Sequence, residues 1–407
     1  MNKLTRQLIC AASPTRFGSG WILLIIAALV AARPGLGAEP DLTPSLRKAA
    51  AGVFPIGVGL SDRIPRQPVD WPLLVSQFNW VTSENCLKPA AVQPVQGQFG
   101  FTQADAFVDF ATSNHLQVVG HCLVWAKDDR TPAWFYRDEN NAASPELLMA
   151  RMKTHIDTVV GRYRGRIAMW DVVNEALDDG TNYLRGSGWS QACGEEFIVK
   201  AFEFAHAADP QALLIYNDYN NELPDKRAKL IRLVRSLRER KAPIHAIGLQ
   251  GHYEIDRIPW ADIEATLAAM RQLGMKVVVS ELDIDVIPRG RWWQDGGKYR
   301  DELSKLDPYR EGCPPEILRR QAEQYGQLFR LFRGYSDVIA RVSFWNLHDG
   351  QSWLNYFPWK RANHPLLFDR AGRPKPAFDA VIAALQPAPG AEPSKRLLEP
   401  ATSSPKP

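Results

Sequence analysis

A strong excess of one charge is missing from this 407-residue chain, in which 49 lysines and arginines stand against 45 aspartates and glutamates. A formal net charge of +4 provides no basic surface of the kind that binds nucleic acid or an anionic membrane, so neither is expected as a partner. The sequence also has no G-x-x-x-x-G-K-[ST] segment, and no G-x-G-x-x-G motif follows its first predicted strand. These are the usual signatures of nucleotide binding. No cofactor is expected.

Cysteine is also scarce, with five residues in the chain. No C-x-x-C pair occurs, which argues against a structural zinc site, and no bound metal is expected. Cys10 lies in the N-terminal leader described below. The other four, Cys86, Cys122, Cys193 and Cys313, would enter an oxidising compartment where disulfides form, and the sequence leaves all three ways of pairing them open.

An unbroken hydrophobic run occurs near the N-terminus but is short. Residues 1–19 are basic and lack acidic residues, residues 21–32 have the sequence WILLIIAALVAA, and residues 33–38 supply helix breakers and small side chains. An apolar run of about 12 residues is too short to span a membrane, which takes roughly 20, but it suits a signal peptide. We predict that residues 1–38 are a cleaved signal peptide, that the protein is secreted or periplasmic, and that it has no membrane contact afterwards. An uncleaved N-terminal anchor is the alternative.

The sequence has enough apolar material for a large folded core, since 45% of its residues are hydrophobic. Short runs rich in Val, Ile and aromatic residues predict eight strands, at residues 53–60, 78–83, 117–124, 167–173, 213–217, 246–250, 276–280 and 340–345. Helical periodicity predicts eight helices that follow them, at residues 71–77, 103–114, 145–163, 195–207, 225–240, 260–273, 315–332 and 375–385.

This alternation predicts an α/β protein with a (β/α)8 TIM barrel as its single catalytic domain, residues 39–385. Continuously apolar strands are what a parallel sheet covered by helices requires. A doubly wound open sheet is the alternative, but the glycine-rich loop that usually supports it is missing. Residues 386–407, which are rich in proline, are expected to form a disordered tail. We expect the protein to be a monomer.

The catalytic end of such a barrel is the end where the strands have their carboxyl termini. Seven of the predicted strand ends carry polar or aromatic residues, at 82–85, 120–125, 170–175, 216–220, 250–252, 281–283 and 345. One such end could simply cap a strand or face solvent in a turn, but a barrel does not need this many for stability. The long segment 284–314 after the seventh strand adds a loop at the same end, where loops carry the site.

Two glutamates, Glu175 and Glu281, follow strands four and seven and therefore face each other across the predicted barrel mouth. Hydrolysis of an acetal needs one carboxyl group to protonate the leaving oxygen and a second to attack or to activate water. Asn174, next to Glu175, is suited to bonding a sugar hydroxyl, and His252 on a neighbouring strand can orient Glu281. The alternative for either glutamate alone is an ion pair inside the barrel.

Tryptophan is abundant, with 13 residues, and four of them lie in or near the strand ends: Trp125, Trp134, Trp345 and Trp353. Flat indole rings suit the apolar faces of pyranose sugars, and their N–H groups can donate hydrogen bonds. For any single one of them, packing in the core or in the barrel wall is the alternative. Together with the two glutamates, they indicate a site that binds carbohydrate.

The order of these motifs along the chain resembles that of the family 10 glycoside hydrolases. The segments that carry the resemblance are residues 82–88 (TSENCLK), 120–125 (GHCLVW), 170–176 (WDVVNEA), 216–220 (YNDYN), 245–252 (HAIGLQGH) and 280–283 (SELD). Residues 352–353, 366–369 and 375–377 are also similar, so the resemblance extends from about residue 46 to residue 385.

That resemblance implies a retaining endo-β-1,4-xylanase that acts on xylan or xylo-oligosaccharides, with Glu175 as the acid/base and Glu281 as the nucleophile. The residues that it implies in substrate binding are Glu84, Asn85, Lys88, His121, Trp125, Asn174, Gln250, His252, Trp345 and Trp353 on the non-reducing side of the scissile bond, and Tyr219 on the leaving-group side. Two alternatives are a retaining glycosidase for another β-linked polysaccharide and a non-catalytic carbohydrate-binding or scaffold protein.

The chain departs from the family pattern at two places. Residues 126–128 (Ala-Lys-Asp) replace the usual His-Ser-Gln, and residues 346–348 (Asn-Leu-His) replace a sequence that begins with Gly. The charges of Lys127 and Asp128 would change which sugar hydroxyls are bound beside the scissile bond, so we expect lower activity on linear xylan than in members with the usual residues. The alternative is that both side chains point into solvent.

Overall fold

The structure, a computed structural model, describes residues 44–61, 68–293 and 297–386. The predicted signal peptide and the predicted tail after Gln386 lie outside these ranges. Among the described residues, no helix is both long enough and apolar enough to cross a membrane.

Eight parallel strands form a closed barrel. They are β1 (Ile56–Leu60), β2 (Trp80–Ser83), β3 (Gln117–Trp125), β4 (Met169–Asn174), β5 (Leu213–Asp218), β6 (Ala246–Leu249), β7 (Lys276–Asp285) and β8 (Ile339–Phe344). Each strand pairs with the next, and β8 pairs with β1 through Ile56 and Val342, which closes the sheet. The predicted (β/α)8 fold is confirmed.

A helix follows each strand on the outside of the barrel. These helices are α1 (Asp70–Gln77), α2 (Thr102–Ser113), α3 (Pro145–Arg162), α4 (Glu196–Ala208), α5 (Pro224–Glu239), α6 (Trp260–Gln272), α7 (Pro315–Gly334) and α8 (Pro376–Leu385). Helices α3, α5, α7 and α8 begin with proline, whose fixed φ suits the first helical position and whose missing N–H has no partner to lose there.

Shorter elements lie in the connections. They are the helices Leu46–Ala49, Pro89–Val92, Gly188–Cys193 and Arg300–Leu303, the 3₁₀ turns Ala133–Phe135, Gly290–Trp293, Asp349–Gln351 and Trp353–Asn355, a hairpin of Arg137–Asp138 with Asn141–Ala142, and the strand His252–Glu254. The last of these pairs with β7 at Asp283 to Asp285.

The two ends of the barrel interior differ in polarity. Near the amino ends of the strands, five apolar side chains from consecutive strands form a cluster that contains no helix residue, namely Val119, Met169, Ile215, Ala246 and Val278. Side chains two positions further along a strand lie on the same face. On four of these strands that next position is polar and buried: His121, Asp171, Asn217 and Ser280. The barrel interior is therefore apolar near the amino ends of the strands and polar near their carboxyl ends.

The seventh strand is longer than its sequence pattern predicts. The apolar run ends at Ser280, whereas β7 continues to Asp285 because the strand His252–Glu254 provides a second pairing partner. Glu281 and Asp283 consequently lie within a paired strand and not in a loop after it. Rigid backbone on both sides holds these two carboxylates at the barrel mouth.

The four cysteines in the described part of the chain are free thiols, so none of the three pairings is formed. Cys86 and Cys122 are buried beneath the catalytic end, and Cys193 and Cys313 are partly exposed. Close packing replaces covalent bridges as the source of stability. At the contact between β3 and β4, for example, Gly120 faces Trp170, and a Cβ added to that glycine would overlap the indole ring.

Candidate active site

Glu281 is a buried carboxylate with two hydrogen-bond donors. Its Oε1 accepts from Asn217 Nδ2 at 2.8 Å, and its Oε2 accepts from His252 Nε2 at 3.2 Å. Burial by itself would raise the pKa of Glu281, but the hydrogen bond from His252, helped by Asn217, holds that pKa below its usual value. Glu281 is therefore ionised and has a fixed orientation, as a nucleophile requires.

The imidazole of His252 lies between two carboxylates. Its Nδ1 is 3.0 Å from Asp283 Oδ1, on the side of the ring opposite Glu281. The second oxygen of Asp283 accepts a hydrogen bond from Trp353 Nε1 at 2.7 Å. Burial would lower the pKa of His252, but Asp283 first and Glu281 second raise it to about 9. The contact between His252 and Glu281 that the sequence indicated is thus present, with a protonated imidazole.

Glu175 directly follows β4 and has a backbone φ of 58°, a left-handed conformation that is uncommon for a residue with a side chain. Its N–H donates to the Asn217 carbonyl at 2.9 Å. Its Oε1 accepts from Gln250 Nε2 at 3.1 Å, and its Oε2 forms an ion pair with Lys127 Nζ at 2.6 Å. Burial would raise the pKa of Glu175, but Lys127 and then Gln250 hold that pKa below its usual value.

One residue, Asn217, contacts both glutamates: its carbonyl accepts from the backbone of Glu175 and its side chain donates to Glu281. Two further backbone bonds continue this ladder, since Gln250 N–H donates to Asp218 O at 3.1 Å and Glu281 N–H donates to Gln250 O at 2.9 Å. The two carboxyl groups are therefore fixed to one rigid set of strand ends. The negative charge of Glu281 also acts on Glu175, where it opposes the lowering of the pKa by Lys127 and Gln250.

The strand register places Trp125 beside Asn174, and Asn174 beside Asn217. The side-chain amide of Asn174 is oriented so that both its oxygen and its nitrogen form hydrogen bonds. The oxygen accepts from Trp125 Nε1 at 3.3 Å, and the nitrogen donates to the Asn217 carbonyl at 3.2 Å. Lys88 Nζ lies 4.7 Å from the centre of the Trp125 ring and 3.4 Å from Asn85 Oδ1. The predicted binding residues from the ends of β2, β3 and β4 are therefore neighbours.

Two further predicted residues, His121 and Glu84, come from the same two strands, β3 and the end of β2, and the His121 ring lies 6.2 Å from the Trp125 ring. His121 is buried, and its Nδ1 donates to Asp171 Oδ2 at 2.8 Å. Its ring packs edge-on against Trp345, with ring centres 5.5 Å apart. Glu84 Oε2 accepts from Asn346 Nδ2 at 3.2 Å, and this asparagine has a φ of 95°. Asn346, one of the departures from the family pattern, thus contacts a predicted binding residue.

Tyr219, predicted on the leaving-group side, lies next to Glu175. Its hydroxyl accepts from Arg185 Nη2 at 2.7 Å and donates to Asp179 Oδ2 at 2.7 Å. Arg185 Nε also donates to the Glu175 carbonyl at 2.9 Å. The ammonium group of Lys127 lies 5.3 Å from the Tyr219 ring centre. These contacts fix the tyrosine as one wall beside the acid/base candidate.

The departures from the family pattern at Lys127, Asp128 and His348 each make a defined contact. Lys127 contacts Glu175, as described above, and the Asp128 carboxylate accepts from the Gly188 backbone N–H at 2.9 Å. Asp128 is thus exposed, and one of its carboxylate oxygens holds the loop at Gly188. His348 is fully buried, and its Nε2 lies 2.9 Å from Asp70 Oδ1, so it supports the loop after β8.

Trp134 also differs from its interpretation as a sugar platform. Its Nε1 donates to the Gln93 carbonyl at 3.1 Å, and its ring stacks on Phe135 with centres 3.8 Å apart. This tryptophan packs in the barrel wall. The other three predicted tryptophans, Trp125, Trp345 and Trp353, are at the barrel mouth.

Sequence reasoning did not select several residues that the structure brings into the site, namely Asn217, Asp283, Asp171 and Arg185. The first three lie within the quoted motifs and share the inward face of their strands with selected residues, so the period of two along a strand could have found them. Arg185 lies in a loop with no motif of its own, and no sequence signal marks it.

A (β/α)8 barrel with two buried carboxylates at its mouth, in different surroundings and beside aromatic walls, defines a glycoside hydrolase. The model of glycosyl hydrolase family 10 matches residues 45–384, and the chain belongs to this family. The predicted family resemblance is confirmed over almost the same range. No group of three or more His, Cys, Asp or Glu side chains arranged to hold a metal ion is found within the described ranges.

Relatives at moderate identity match over most of the chain. The protein named endo-1,4-beta-xylanase of Geobacillus stearothermophilus is 40% identical over 342 residues, which are 83% of this chain and 98% of the relative. Endo-1,4-beta-xylanase B of Paenibacillus barcinonensis is 38% identical, with 83% and 98% covered. Among solved structures, xylanase XynB from Paenibacillus barcinonensis, complexed with a conduramine derivative, has a TM-score of 0.76 at 37% identity, covering 84% of this chain and 99% of that one. A Thermobacillus composti GH10 xylanase has a TM-score of 0.71 at 42% identity, with the same coverage.

Proposed function

We propose that this protein is an endo-β-1,4-xylanase that cleaves internal bonds of xylan with retention of configuration. The observation that carries this proposal is the pair of carboxylates that both contact Asn217. Glu281 is held ionised by His252, and Glu175 lies beside Tyr219 on the leaving-group side. Membership of family 10 and relatives named endo-1,4-beta-xylanase support the substrate class.

In the first step, Glu281 attacks the anomeric carbon while protonated Glu175 donates its proton to the departing glycosidic oxygen. The product of this step is a covalent glycosyl-enzyme and a shortened chain. Asn217 and His252 hold the attacking oxygens in place. Glu175 must carry a proton at the start, and the ion pair with Lys127 stabilises its ionised form, so this step proceeds best at acidic pH.

In the second step, Glu175 has lost its proton and acts as a general base toward a water molecule. The water attacks the anomeric carbon, Glu281 leaves as a carboxylate, and the proton of the water returns to Glu175. The contact with Lys127 stabilises the ionised Glu175 that this step requires. Lys127 therefore favours the second step and opposes the first, in which Glu175 must be protonated.

Substrate binding is assigned to the two walls of the mouth. Trp345 and Trp353 present indole rings over the sugar on the non-reducing side of the scissile bond, where aromatic faces suit pyranose rings. The polar residues on that side are Glu84, Asn85, Lys88, His121, Asn174 and Gln250, which can donate to and accept from sugar hydroxyls. Tyr219 contacts the sugar that leaves.

The organisation of the whole chain is part of the proposal. Residues 1–38 direct export and are removed, residues 39–385 act as one catalytic domain, and the enzyme works as a secreted or periplasmic monomer. The apolar run at residues 21–32 supports the first of these points. Mass spectrometry of the exported protein would give its N-terminus directly.

Purified enzyme is expected to release reducing sugars from xylan, and to release far less from cellulose or mannan. Glu281→Ala abolishes turnover, whereas Glu175→Ala retains turnover of aryl glycosides whose leaving group needs no proton. Glu264→Ala, at an exposed glutamate of α6, serves as the control and keeps full activity. Preferred release from cellulose or mannan, or equal losses by both active-site variants on both substrate types, would contradict the proposal.

A further inference from the structure

A pocket lies beside the catalytic cleft, in the loops that follow β7 and β8. Its volume of about 480 Å³ is within the range of small-molecule sites and sufficient for a monosaccharide. Its walls include Arg310 from the loop after β7, and Tyr356, Lys360 and Arg370 from the loop after β8. None of its lining residues belongs to the catalytic site described above.

The lining of this pocket is basic. Arg310 and Lys360 are exposed, and within the described ranges neither side chain has a hydrogen-bond or ion-pair partner. Arg370 adds a third exposed cation. The acidic residue of the lining, Asp307, already accepts a hydrogen bond from the Ala362 backbone N–H at 2.7 Å. A ligand would therefore meet three exposed cations and one carboxylate that is already bonded.

The walls of the pocket are held in place by buried contacts. Asn355 Oδ1 accepts from Arg370 Nη2 at 2.9 Å and from the Asn363 N–H at 3.1 Å. Arg361, the remaining basic residue of the lining, is buried, and its guanidinium pairs with Asp285 at the end of β7. Because the walls are already ordered, a ligand does not have to order them on binding.

An aromatic strip connects the pocket to the catalytic cleft. Tyr356 lines the pocket and is 62% exposed. The next residue, Phe357, stacks on Trp353 with ring centres 5.0 Å apart and an interplanar angle of 20°. Trp353 in turn bonds to Asp283, which holds His252. A polysaccharide bound in the cleft can therefore carry a side group along this strip.

We propose that the pocket binds a uronic acid side group of the polysaccharide, so that the enzyme prefers substrate carrying acidic substituents. In a uronic acid the carbon attached to the pyranose ring is a carboxylate. This carboxylate can form ion pairs with Arg310 and Lys360. The inference rests on the proposed function, because the side group reaches the pocket as part of a bound xylan chain.

The test compares one polysaccharide in two charge states. The substrates are xylan with uronic acid side groups and the same preparation after its carboxyl groups have been chemically reduced to alcohols. The double variant Arg310→Gln with Lys360→Gln removes the two unpaired cations. Lys305→Gln, at an exposed lysine of the same loop that does not line the pocket, is the matched control.

The double variant is expected to lose about three- to tenfold in kcat/KM on the acidic xylan, the range that two partly exposed ion pairs provide. Its kcat/KM on the reduced xylan stays at the wild-type value, and the control loses activity on neither substrate. The loss on acidic xylan also shrinks at high ionic strength, because salt screens exposed charges.

Two outcomes would overturn the inference: no loss on the acidic xylan, or an equal loss on both substrates. Wild-type turnover of the reduced xylan tests the proposed function separately. If the wild type cleaves the reduced xylan and the double variant shows no charge-dependent loss, only the pocket inference fails. If the wild type cleaves neither substrate, the proposed function fails and the pocket inference fails with it.

Discussion

Replacement of His252 by asparagine is expected to change how the stability of the protein depends on pH. His252 lies partly buried between Asp283 and Glu281, and these carboxylates raise its pKa to about 9. An unfolded histidine has a pKa of about 6.5, and each pKa unit corresponds to ~1.4 kcal/mol, so the protonated ring stabilises the folded state by about 3 kcal/mol. His252→Asn removes this contribution while keeping a polar side chain.

The sign of the pH dependence follows from the raised pKa. Below pH ~6.5 the imidazole is protonated in both the folded and the unfolded protein, and the full stabilisation is present. Between pH ~6.5 and about 9 only the folded protein binds the proton. The stabilisation is therefore lost as the pH rises through this window. The difference in free energy of unfolding between wild type and His252→Asn should fall by about 3 kcal/mol from pH 6 to pH 10.

Urea unfolding at pH 6 and pH 10 measures this difference, with tryptophan fluorescence and circular dichroism as two probes whose coincidence tests for a two-state transition. His115→Asn is the control, because His115 is exposed and has a φ of 57°, which asparagine tolerates. That control should follow the wild type at both pH values. The same wild-type-to-His252→Asn difference at pH 6 and pH 10 would refute the charged-imidazole reasoning.

Two other substitutions probe single contacts. Lys127→Met removes the cation that stabilises ionised Glu175, so the pKa of this carboxyl rises and the alkaline limb of the kcat/KM profile moves to higher pH; an unmoved limb would show that the ion pair does not act on the reaction. Gly120→Ala forces a methyl group into the Trp170 ring and should destabilise the protein by about 1–3 kcal/mol. Gly161→Ala, in a helix with open space around it, should be neutral or slightly stabilising, and equal thermal midpoints for the two alanine variants would contradict the packing argument.

The barrel architecture could be predicted from the sequence because its signals are local. A buried parallel strand is apolar at every position and an outer helix is apolar at every third or fourth, and both patterns are visible without knowledge of the neighbours. The eight predicted strands and eight helices were all found, most of them within two residues of the expected ends. The predicted and observed bounds differ most for β1 and β7, the two strands whose ends depend on their surroundings. β1 starts at Ile56, after a turn through Gly52, and β7 continues beyond its apolar run because of an added pairing partner.

The chemistry of the site was also predictable in part. Glu175, Glu281 and His252 lie at strand ends, and the barrel topology brings all strand ends of one kind to the same rim. Their place in the site therefore follows from their position in the repeating pattern. The contact between His252 and Glu281 was predicted for the same reason, since it joins neighbouring strands.

What the sequence by itself determined about this protein is thus the fold, the family and the place of the two carboxylates at one rim of the barrel. The tertiary structure alone decided what each charged loop residue contacts. Lys127 and Asp128 are adjacent in sequence and equally polar, yet one pairs with Glu175 and the other binds the backbone of Gly188. The physical reason is that a hydrogen bond or an ion pair requires atoms within about 3 Å. The path of a loop sets that distance, and no periodic pattern along the chain records it.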